Sequence, residues 1–196
     1  DGTWRDLPIG DVGVLAISGP TVFPGYVIGR DDNGPVFDGL GKLVNGWLDT
    51  GDLARVDDDG FVYLTGRAKD LIIRGGHNIY PSTIEDALLD HDAVSGAMAV
   101  GRPDKHAGEV PVAYVTVTDR AVIGADLRDW VKGRLTEQAA APKDVVVMDA
   151  LPLTDVGKPY KLALRAHVTR DAVTAELADL TGVTSIDARI EDGSVV

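Results

Sequence analysis

Three side chains in this sequence stand where a charge could act on a phosphorylated ligand. Asp52 lies in Thr50-Gly51-Asp52, at a turn between two strand-like runs. A carboxylate there either satisfies its own turn backbone or accepts two hydrogen bonds from neighbouring hydroxyls, the arrangement that holds a ribose. Arg67 offers a planar fork suited to a ribose or phosphate partner, and also to an ordinary surface salt bridge. Lys158 sits in Thr154-Asp155-Val156-Gly157-Lys158-Pro159, with glycine before it and proline after it. A flexible loop of this kind can bring one positive charge to phosphate and carboxylate oxygens as negative charge rearranges, which is electrostatic transition-state stabilisation.

Other chemistries find little support. His77, His91, His106 and His167 lack zinc-ligand spacing, and none has an obvious partner for general-base work. Asp57-Asp58-Asp59-Gly60 reads as a solvated hairpin turn, because adjacent carboxylates lack the alternate spacing and distal glutamate of a calcium loop. No metal site is expected. The absence of cysteine removes disulfides, thiolate metal sites and a cysteine nucleophile, and agrees with a reducing cytoplasm.

The elements that must position these residues centre on residues 66–85, GRAKDLIIRGGHNIYPSTIE. Gly66 to Asp70 form a polar connector, Leu71-Ile72-Ile73 a short β-branched strand, and Gly75-Gly76 a backbone turn that glycine alone permits cheaply. Pro81 suits the first turn of a helix, Ser82 and Thr83 offer hydroxyls to its free amides, and Glu85 places negative charge near its positive end. Upstream, Val12 to Ser18 alternates as a strand, followed by loops rich in glycine and proline through Gly41. Trp47 to Arg55 and Phe61 to Thr65 read as strands. Downstream the pattern predicts a helix over 81–91, strands over 94–101 and 110–118, a helix over 124–138, a strand over 144–149, a helix near 169–180 and a strand over 183–190. Leu127, Trp130, Val131 and Leu135 recur at helical spacing, so Trp130 reads as core. Asp192-Gly193 is a hairpin signal.

The fold class expected is α+β: the strand-rich end of one domain over 1–66, then a small mixed α/β domain over 67–196. With 196 residues and 44% hydrophobic content the chain can bury a core. A net charge of −12 argues against nucleic-acid binding. No apolar run is long enough to span a bilayer. The chain opens on Asp1 within strand-rich sequence and is expected to be part of a longer protein.

Three separated motifs, WLDTGDL over 47–53, the 66–85 run and LPLTDVGKPYK over 151–161, resemble the AMP-forming adenylating enzymes: acyl-CoA synthetases, luciferases and peptide-synthetase adenylation domains. Within that family GGHNIYP looks like the CoA-ligase branch. The resemblance implies that residues 1–66 finish the large N-terminal domain and that 67–196 form the C-terminal lid. It implies that Asp52 and Arg67 hold the ATP ribose and phosphates, that Lys69 is the hinge of the lid, and that Gly75 and Gly76 line the pantetheine tunnel. Lys158 would be the lysine of the adenylation step, with Pro159 standing where many relatives have an aliphatic residue. The implied activity is carboxylate plus ATP to acyl-adenylate, then displacement of AMP by CoA, with Mg2+ bound mainly through ATP and the large domain. Implied partners are a fatty or other carboxylic acid, ATP and CoA. Two alternatives stand beside it: delivery of the acyl group to a carrier protein, and a non-catalytic binding module that keeps the lid fold. The acyl substrate is not legible, since the pocket residues lie elsewhere.

Overall fold

β-Branched runs punctuated by glycine turns make the first part of the chain almost wholly strand. In a computed structural model, residues 4–39, 43–178, 185–191 and 193–196 are described. The chain divides into two units, Asp1–Lys69 and Asp70–Val196.

In the first unit, β1 (Gly13–Ile17), β4 (Leu43–Val44), β5 (Trp47–Val56) and β6 (Val62–Arg67) form an antiparallel sheet built on β5. The passage expected to be loops contains a further hairpin, β2 (Val27–Asp31) with β3 (Gly34–Phe37), closed by Asp32-Asn33. Val27, Ile28, Val36 and Phe37 are strand formers on either side of that turn, and the density of glycine and proline around them obscured it. Asp57 acts as turn backbone support: its Oδ1 accepts the amides of Asp59 and Phe61 at 3.1 and 2.9 Å. The Phe61 amide is the main reason its carboxyl is held below the ordinary value. Among the described residues of this unit, the buried apolar side chains are Leu53 and Ala54, while Tyr26, Ile28, Phe61 and Leu64 are each about two-thirds exposed.

The second unit has a different economy. Two long strands, β9 (Val94–Asp104) and β10 (Gly108–Val117), pair along their whole length, and β11 (Asp144–Val147) adds in parallel beyond β10. Alternation splits their side chains between two faces. Ala99, Ala113 and Val115 point to one core with Ile84 and Leu88 of α1 (Pro81–Leu89) and Leu127 and Val131 of α2 (Gly124–Lys132). Met98, Val100, Val112 and Tyr114 point to the other, where Leu164 and Val168 of α3 (Lys161–Glu176) cover them. Burial, then the charge of Asp171, pushes the Tyr114 hydroxyl up to about 12. Helices therefore lie on both faces of one sheet.

Several expected boundaries move. Gly66 and Arg67 complete β6, opposite Leu53 and Asp52, so the division between units falls after Lys69. Helix α2 ends at Lys132, not 138, because Gly133 is a poor helix former that caps it; Leu135 is buried from the turn that follows, which mimics a helical stripe. Helix α3 starts at Lys161, eight positions before the expected 169: Lys161 and Arg165 interrupt its apolar pattern. Of the strand expected over 183–190, residues 185–189 are not strand, and Ile190–Glu191 (β12) pairs with Ser194–Val195 (β13). Residues 40–42, 179–184 and Asp192 lie outside the described residues, so Gly41, the end of the 169–180 helix and the Asp192 part of the hairpin signal do too.

Candidate functional site

Asp52 is not at a turn between strands but inside β5, on a bulge. Against β1, Val14 pairs with Leu53 and Ala16 with Asp49, so Thr50, Gly51 and Asp52 oppose the single residue Leu15. Gly51 takes φ +73°, and the Thr50 hydroxyl donates to the Leu15 carbonyl at 2.8 Å while accepting the Asp52 amide at 3.1 Å. A bulge bends a strand and re-aims its side chains. Here it sets the Asp52 carboxylate against Arg67, its cross-strand neighbour in β6, with Nε to Oδ1 at 2.9 Å. Arg67 also donates to the Thr50 carbonyl at 3.4 Å. The two residues picked out separately from the sequence thus form one pair, and Asp52 keeps a second carboxylate oxygen for a further donor. Lys69 follows in a 3₁₀ turn, Ala68–Asp70, at the end of the first unit.

Gly75 and Gly76 form the turn of a hairpin whose second strand the sequence reading missed: β7 (Ile72–Arg74) returns as β8 (His77–Ile79), with Arg74 opposite His77. Both glycines have positive φ, +56° and +86°, as a type I′ turn requires. A Cβ on either would meet no atom within 4 Å, so the requirement is conformational and the space beside the turn is open. The hairpin is anchored from several sides. Gly75 donates to the Ala107 carbonyl at 2.7 Å, Arg74 to the Ala139 carbonyl at 2.7 Å, and His77 Nδ1 lies 2.7 Å from Glu137. Ala107 is itself fixed by Asp104, whose Oδ1 accepts the amides of His106 and Ala107 at 2.9 Å each.

Lys158 projects from a tight turn rather than a loose loop. Thr154 donates its amide to the Lys158 carbonyl at 2.8 Å, its hydroxyl accepts the Lys158 amide at 3.1 Å, and Gly157 closes the turn at φ +76°. Leu153 pairs with Pro159 as an isolated antiparallel bridge. Proline requires an extended residue before it, which the bridge uses, so Pro159 suits this turn. The Lys158 side chain is exposed.

Arg74, Arg128, Lys132 and Lys143 converge on a cavity of about 410 Å³, with Asp129 the single carboxylate in its lining. These cations come from β7, α2 and the start of β11, so no local run betrays them. In a chain of net charge −12 this lining, with three excess cations, is a locally positive region.

The second unit thus carries a glycine hairpin and a lysine turn, and the sheet of the first carries an Asp–Arg pair. Residues 83–158 match the AMP-binding enzyme C-terminal domain. The chain is 47% identical over 167 residues to a marinolic acid–CoA ligase of Pseudoalteromonas, covering 84% of this chain and 24% of that protein. It is 41% identical over 166 residues to a medium/long-chain-fatty-acid–CoA ligase of Mycobacterium tuberculosis, covering 81% and 28%. The solved ATP-bound MatB of Rhodopseudomonas palustris superimposes with a TM-score of 0.76 at 30% identity, over 87% of this chain and 33% of that one. The chain belongs to the adenylate-forming family of AMP-binding enzymes, and it spans about a quarter of the length of the curated relatives it matches.

Proposed function

We propose that this chain is the C-terminal portion of an AMP-forming acyl-CoA synthetase, in which a carboxylate attacks the α-phosphate of ATP and CoA then displaces AMP. The observation that carries the reading is the Asp52–Arg67 pair at 2.9 Å, held on a bulge that leaves one carboxylate oxygen available. It supports a ribose-binding role for Asp52, with Arg67 fixing the carboxylate and facing the phosphates. Lys158 supplies positive charge during adenylation, Lys69 is the hinge, and the open space beside Gly75 and Gly76 admits the pantetheine arm. The first unit, with little apolar core of its own, finishes the large adenylating domain; the second is the lid.

Among the described residues no group of three His, Asp or Glu side chains gathers to hold a metal. Mg2+ would be held mainly through ATP and the large domain, and no step assigned to these residues runs through it. The substrate is a fatty or other carboxylic acid. Among the described residues no helix is long and apolar enough to cross a membrane, and use of ATP and CoA supports a cytoplasmic setting.

The cation-lined cavity adjoins the hairpin through Arg74, which supports it as the seat of the phosphates of CoA. Reversing Lys132 and Lys143 to glutamate should raise KM for CoA about 100-fold, since each of the two lost charged hydrogen bonds is worth about 1.5 kcal/mol. ATP–pyrophosphate exchange should stay unchanged. The reading as a whole is tested by CoA-dependent, carboxylate-dependent AMP release from the complete enzyme. AMP release that requires a carrier protein instead of CoA favours the first alternative, and no release with any acceptor favours the binding module.

A further inference from the structure

Lys161 is the first residue of α3, where free amides and the positive end of the helix dipole make a cation locally unfavourable. Its ammonium nonetheless sits 2.6 Å from Oε1 of Glu85 in α1, with both side chains less than one-fifth exposed. The same oxygen accepts the Ala99 amide, on the side of β9 turned away from β10, at 2.7 Å. One turn along α3, Arg165 donates to Oε1 of Glu109 at 2.9 Å, and the other oxygen of Glu109 accepts the Ile73 amide of β7 at 3.1 Å. Gly101 makes room for this arrangement: a Cβ there would lie 2.5 Å from the Glu109 carboxyl carbon.

The two cations share a stripe with Leu164 and Val168, which are buried against the sheet. Partly buried pairs of this kind contribute little net stability compared with well-packed apolar residues, so stability alone does not account for them. Their position does offer an account. Lys161 lies three residues after Lys158, and Ile73 lies two residues before Gly75. We propose that one face of α3 positions both loops separately: Lys161 with Glu85 fixes the exit of the Lys158 turn, and Arg165 with Glu109 fixes the strand that leads into the Gly75-Gly76 turn. The roles of those two loops rest on the function proposed above, but the mechanical coupling does not.

Backbone hydrogen exchange on the 196-residue chain tests the coupling directly. Lys161→Met should accelerate exchange at Gly157, Lys158 and Tyr160 by about tenfold while leaving Ile73 and Gly75 unchanged, since local opening follows the loss of a local anchor. Arg165→Met should do the reverse, and Lys161→Arg should restore the first set. In the complete enzyme, Lys161→Met should slow adenylate formation about tenfold and spare thioester formation from supplied acyl-adenylate, because a misplaced catalytic group costs on that scale. Arg165→Met should show the opposite selectivity. Exchange that rises equally at both loops in either variant, or at neither, overturns the proposal. If the exchange pattern is crossed but Lys158→Ala leaves adenylation intact, the positioning inference stands and the functional reading falls.

Discussion

Replacing Lys158 by alanine in the complete enzyme is expected to slow acyl-adenylate formation by about 100-fold or more, the scale on which removing one charge-stabilising donor acts. The turn that carries it explains why the loss should be confined to that residue's charge. Thr154 holds the Lys158 backbone through both its amide and its hydroxyl, and the Leu153–Pro159 bridge closes the base. None of these bonds uses the lysine side chain, so alanine keeps the turn. Thioester formation from supplied acyl-adenylate should survive within a factor of about two, because no pyrophosphate charge develops in that step. Pre-steady-state measurement of each half-reaction decides the matter. A parallel fall in both rates would show that Lys158 acts on folding or on both steps, and the electrostatic role assigned to it would be lost.

The contrast between what the sequence disclosed and what it hid follows from the range of the interactions. The Gly75-Gly76 turn was legible because paired glycines have a local meaning, whereas the bulge at Thr50-Gly51-Asp52 read as a turn because its short-range bonds, Gly51 to Asp49 and Asp52 to Thr50, are those of a turn. The core stripe Leu127 and Val131 was legible for the same reason, being periodic over a single helix. Helix α3 was misplaced because its start depends on partners far away: Lys161 and Arg165 look like surface charges until Glu85 and Glu109, 76 and 56 positions distant, are brought to them. The cation-lined cavity was invisible for a related reason, since Arg74, Arg128, Lys132 and Lys143 meet only through the parallel addition of β11 to β10 and the packing of α2. Asp52 shows an intermediate case. Its motif singled out the carboxylate, but not that Arg67 would lie directly opposite it in register.

Replacing Lys69 by proline should separate the two half-reactions completely. Lys69 is the middle residue of a single 3₁₀ turn, Ala68–Asp70, and the last residue of the first unit. A 3₁₀ turn already uses φ of about −60°, and proline is fixed near −65°, so the ring can be accepted at this position while barring departure from that range. Proline also disfavours the helical ψ that Ala68 takes in this turn, so the substitution carries a local conformational cost together with its restriction of φ. The proposed rotation of the lid about this residue would then be blocked, since a hinge is defined by the dihedral change it absorbs. Adenylation should persist while CoA transfer falls below detection. Lys69→Ala, which keeps both dihedrals free, should retain both activities. The measurement is again the pair of half-reactions, now with ATP–pyrophosphate exchange reporting the first and CoA-dependent AMP release the second. Equal activity of Lys69→Pro in both would remove this residue from the hinge role and move the search to the flanking positions Ala68 and Asp70, the remaining members of the same turn.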